Sequence, residues 1–88
     1  MNSFDDAELD PERLLRDMKK GDWNAYALFI KEYQGFARGW AFFVTQNAAM
    51  YEDIALKAFA NFWKDKANIP SGANLISCMK RYVEQACQ

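Results

Sequence analysis

The segment Tyr26–Val44, YALFIKEYQGFARGWAFFV, decides the fold. Its large rings, Tyr26, Phe29, Tyr33, Phe36, Trp40 and Phe43, recur at intervals of 3, 4, 3, 4 and 3. A strand would place apolar residues at every second position, whereas intervals of three and four mark one face of an α-helix. Ile30, Ala37, Ala41 and Val44 widen the stripe. The predicted helix runs for about 23 residues, with Asp22 as its N-cap. Gly35 and Gly39 interrupt it, each costing about 1 kcal/mol relative to alanine. Their spacing is expected to serve packing, by admitting a close neighbouring helix, rather than to mark a G-x-x-x-G association motif. The six rings are expected to be core rather than a platform for stacked bases, because so short a chain has no other source of a large core.

Shorter helices are predicted on either side. Residues 1–9 read as a polar, acidic, frayed tail. Asp10-Pro11 then supplies an N-cap acceptor and a first-turn proline. Leu14, Leu15 and Met18 form one face of a short helix, and Lys19, Lys20 and Gly21 suit its C-terminal end. After a break at "TQNAA", with Asn47 as a candidate cap, a third helix extends to about Lys64. Its inward side carries Tyr51, Ile54, Ala55, Ala58 and Phe62, with Phe59 at the border. Asp53, Lys57, Ala60 and Lys64 point the other way, flanked by Leu56 and Trp63 seven residues apart. Pro70, Ser71 and Gly72 mark a turn. A fourth helix, from about Ala73 to Ala86, has Leu75, Ile76, Met79, Tyr82, Val83 and Ala86 on its apolar side. The expected fold is all-α: a compact bundle of three long helices plus a short N-terminal one, in one domain.

Charge is unevenly distributed. Residues 1–22 hold seven acids and four bases (−3), residues 23–63 three of each (0), and residues 64–88 two acids and four bases (+2), for a net −1. This gradient places expected phosphate contact at the C-terminal end. Cys78 and Cys87, nine residues apart in one predicted helix, are about 13.5 Å apart along its axis. That separation exceeds the roughly 7 Å limit for a disulfide, so reduced thiols are expected. No leader or membrane span is read, and the expectation is a soluble, cytoplasmic protein.

The residue types for catalysis are missing. The chain has no histidine, and no serine or cysteine lies in a nucleophile elbow. There is no phosphate-cradling glycine loop. The adjacent acids Glu52 and Asp53 diverge by about 100° on a helix, which suits a solvated first turn better than a catalytic pair. Neither an enzyme nor a metal or other cofactor is expected.

Three segments, in order and at matching spacing, resemble region 2 of bacterial RNA polymerase sigma factors, nearest to the extracytoplasmic-function group of the sigma-70 family. LLRDMKKGDWNAYALFIKEY resembles that group's opening through Gly21, Asp22, Ala25, Tyr26 and Tyr33. YEDIALKAFANFW resembles its acidic-start helix through Glu52, Asp53, Ile54, Phe59 and Trp63. NLISCMKRYVEQ is similar to the last helix, with Ile76, Met79 and Arg81 in register. The likeness spans about residues 9–84.

The resemblance implies a helical bundle whose third helix docks on a coiled coil of the largest subunit of core RNA polymerase. The docking residues would be Glu52, Asp53, Leu56, Lys57 and Ala60. It also implies that the following loop and last helix open the −10 promoter element and grip its non-template strand. Lys64, Lys66, Lys80 and Arg81 would meet phosphates, and Asn68 and Asn74 base edges. Leu56 and Lys57 stand where the family usually has glutamine and an acid. Leu75 stands for its usual tryptophan and Tyr82 for its usual asparagine. A whole factor of this group carries a further helix-turn-helix domain that these 88 residues do not contain. The alternative expectation is a sigma-like interaction module that has lost promoter reading. It would bind an anti-sigma factor or a second copy of itself, with Leu56 beside Trp63 as an exposed apolar patch.

Overall fold

The computed structural model describes residues 10–87; the acidic segment 1–9 lies outside the described residues. Helix α1 spans Pro11–Lys19, α2 Trp23–Thr45, α3 Tyr51–Asp65 and α4 Leu75–Ala86, and a 3₁₀ turn covers Lys66–Asn68. The fold is an all-α bundle. α3 packs against both α2 and α4, while α1 lies across α2 and the 3₁₀ turn. The molecule is 19 Å through its thinnest axis. That is about two helix diameters, so every helix keeps one face outside.

Local chemistry explains most of the boundaries. The Asp10 carboxylate accepts from the Glu12 amide at 3.1 Å. The Asp22 carboxylate accepts from Asn24 at 2.9 Å and from Ala25 at 3.3 Å. Each satisfies amides that the first turn of a helix leaves without a partner. Between α1 and α2 the chain reverses at Gly21, whose φ of +86° suits a residue without Cβ. Asn47 does not cap α3 as expected. Its side chain accepts from Ala49 at 2.9 Å, closing a preceding turn, and the helix starts behind Met50 with no side-chain cap. Asn74 caps α4, accepting from the Ser77 amide at 3.0 Å.

The core departs from the expected aromatic stripe. On α2 the buried residues are Ala25, Phe29, Ala37 and Ala41, whereas Tyr26, Tyr33, Phe36 and Trp40 are half-buried and Phe43 is 63% exposed. Small side chains at the centre of the contact let α3 and α4 approach, and the larger rings fold along its margins. Phe36, Trp40 and Phe43 stack on one another there, with successive ring planes 7° and 24° apart. Phe29 is the one ring of the stripe driven fully inward; it meets Phe62 at 4.7 Å and Phe59 edge-on at 5.4 Å between centroids. Ile76 is exposed rather than part of the apolar side of α4. Gly35 and Gly39 have nothing within 4 Å of where a Cβ would sit, so neither serves a close helix crossing.

Candidate partner-binding face and nucleic-acid surface

α3 turns Ile54, Ala55, Ala58, Phe59 and Phe62 into the core. At about 100° per residue, Glu52, Asp53, Leu56, Lys57 and Ala60 then share an arc of roughly 140° on the opposite side. All five are exposed. Leu56 is 66% exposed, although apolar. It overhangs a crevice of about 240 Å³ between α2 and α3, with Ile30, Gln34 and Phe59 on its walls. Arg38 and Glu52 close one end, their charged groups 2.6 Å apart. The Tyr51 hydroxyl and the Glu52 carboxylate raise the Arg38 guanidinium further above its ordinary pKa. Asp53 and Lys57 form no ion pair within the described residues.

Trp63 does not join Leu56 in an exposed patch. Trp23 stacks on it at 4.6 Å and Tyr26 at 4.4 Å between centroids, and the Lys66 ammonium lies 3.9 Å from its ring centre. The N-terminal turn of α2 crosses the end of α3 and covers the indole, leaving Leu56 alone. Trp23 was not legible as part of this group, because its partner lies 40 positions away. Tyr26 extends the contact by donating its hydroxyl to the Phe59 carbonyl at 3.1 Å. Burial raises its pKa.

The six residues expected to meet nucleic acid are spread over several settings. Lys64, Asn68 and Arg81 are exposed. Lys66 is half-buried and donates to the Trp63 carbonyl at 3.2 Å, besides covering its ring. The side-chain oxygen of Asn74 is engaged as the α4 cap. Lys80 reaches back to α2, its ammonium 4.8 Å from the Trp40 ring centre. The same indole donates to Glu84 at 3.2 Å.

The chain matches no family model, no curated protein and no solved structure.

No group of three or more His, Cys, Asp or Glu side chains stands close enough to hold a metal ion among the described residues. Cys78 and Cys87 are free thiols, and burial pushes both up in pKa, so their unreactive protonated form dominates near neutrality. Tyr82 donates to Asp65 at 3.1 Å, tying α4 to the end of α3. Burial, and then that bond, raises its pKa. No described helix is long and apolar enough to cross a membrane.

Proposed function

We propose that this chain is a sigma-like transcription-initiation domain. It docks on core RNA polymerase through α3 and engages −10 promoter DNA through the following loop and α4. The observation that carries the reading is the exposed stripe from Glu52 to Ala60. It is the stretch that resembles the family's docking helix, and its aliphatic Leu56 stands in solvent where a core residue would be covered. The reading is of a binding module rather than an enzyme, acting in the cytoplasm with polymerase as its partner. Co-elution with purified core polymerase on gel filtration tests it. Wild type is expected to co-elute, and Asp53→Ala and Leu56→Arg to elute largely free. Equal co-elution of all three would move the docking surface elsewhere.

A second reading has its own support. Lys66, Asn74 and Lys80 make contacts within the fold, which leaves few free groups for DNA on the expected surface. Leu56 and Lys57 also depart from the family's usual docking residues. In this reading the α3 stripe binds an anti-sigma factor or a second copy, and promoter recognition is lost. Binding to polymerase with no preference for −10-like single strands over scrambled ones would favour it.

A further inference from the structure

The α1 helix brings together a basic site that the charge gradient along the sequence conceals. We propose that the groove between α1 and the Ser71–Gly72 turn binds the phosphodiester backbone of a single-stranded nucleic acid. This rests on the reading above only for its ligand class. The groove has a volume of about 500 Å³, and Arg16, Lys19 and Lys20 line it from one side and Ser71 and Gly72 from the other.

Residues 1–22 carry a net −3, yet of the four acids among the described residues of this segment three are engaged locally. Asp10 caps α1, Asp22 caps α2, and Asp17 lies 3.9 Å from Arg13. Glu12 is the one acid on the groove wall, and among the described residues no ion pair joins it to Arg16, Lys19 or Lys20. With three cations and one acid on its wall, the groove carries a net formal charge of +2, and none of the three cations is held in an ion pair among the described residues.

Their arrangement favours a chain of phosphates over a single small anion. Positions 16, 19 and 20 share one helix face, with neighbours about 5–6 Å apart. Each cation can then meet a different phosphate of an extended strand, and the Ser71 hydroxyl adds a neutral donor. The 3₁₀ turn packs against α1, and its Asn68 is exposed. The backbone would thus run over α1, a segment that the sequence pattern assigned only to packing.

The test is fluorescence anisotropy of labelled dT20 with the full chain between 50 and 200 mM NaCl. Three phosphates neutralised on a single strand give a slope of about −2 in log K against log[salt], or roughly 16-fold weaker binding across that range. The Arg16→Gln/Lys19→Gln/Lys20→Gln variant is expected to lose most of the affinity and most of the slope. Lys31→Gln, at an exposed position of α2 assigned to neither surface, is expected to keep both. Circular dichroism of the variants, all altered at exposed or partly exposed positions, confirms that they remain folded. An unbound wild type at 50 mM salt, or an unchanged slope in the triple variant, overturns the proposal. So does competition by polyglutamate as effective as by unlabelled dT20, since that would reduce the groove to a general acid-binding patch. Because dT20 carries no promoter sequence, failure to bind polymerase or to prefer −10 DNA leaves this result standing.

Discussion

Arg38 and Glu52 meet at 2.6 Å across the crevice between α2 and α3, with both side chains largely in water. Exposed ion pairs of this kind add little to stability, because solvent screens them and ordering two long side chains costs entropy. Arg38→Met is therefore expected to leave the urea midpoint close to wild type. It should still change the proposed docking face, by releasing Glu52 at one end of the stripe. A large fall in midpoint would show that the pair holds the two helices together.

Gly35 and Gly39 are helical, exposed and free of neighbours. Alanine at either position is expected to stabilise the domain by about 1 kcal/mol, through higher helix propensity and a less flexible unfolded chain. The check is the shift in chemical denaturation midpoint at unchanged slope. Destabilisation by either substitution would reveal a close contact at that face.

Phe29 and Trp40 belong to the same sequence stripe but should behave differently. Phe29 is fully buried among aromatic rings, so Phe29→Ala is expected to cost about 3–5 kcal/mol. Trp40 is half-buried at the margin, and Trp40→Ala should cost clearly less. In a small domain holding roughly 5–15 kcal/mol in total, the first variant approaches global unfolding and the second does not. Equal losses would restore the stripe as the centre of the core.

That contrast shows how far the sequence could be read. The caps Asp10 and Asp22 and the glycine between them act within a few residues, so three helix ends were legible. The face of α2 was legible in outline, since Phe29, Ala37 and Ala41 of the stripe are buried, but its centre was not, because periodicity does not say whether rings or alanines hold it. The helix buries the alanines that let its neighbours approach. Asn74 was read only as a base contact; its part as the α4 cap, accepting from the Ser77 amide, was not read from the sequence. The exposed stripe of α3 was legible from its polar periodicity. The covering of Trp63 by Trp23 and the groove beside Arg16 depend on helix packing, and no local pattern encodes that.

Tyr26, Tyr33 and Tyr82 have pKa values raised from 10.0, in each case chiefly by burial. Burial favours the neutral phenol, so the folded state holds these protons more tightly than the unfolded one. Their contribution to stability is complete below pH 10 and is lost as pH rises through the raised folded values. Urea unfolding between pH 8 and 11 should show a decline that is shallower in the Tyr26→Phe/Tyr33→Phe/Tyr82→Phe variant. Identical declines would assign the alkaline loss to other groups.

The α3 stripe is the proposed polymerase-docking surface. Its most direct test is the equilibrium affinity of fluorescently labelled chain for core RNA polymerase, for wild type and for Asp53→Ala/Leu56→Arg. Both substituted side chains are exposed, so the double variant should fold as wild type does. Saturable binding is expected of wild type and at least about tenfold weaker binding of the variant, a difference of roughly 1.4 kcal/mol or more. No saturable binding by wild type, or the same affinity in both, would contradict the proposal.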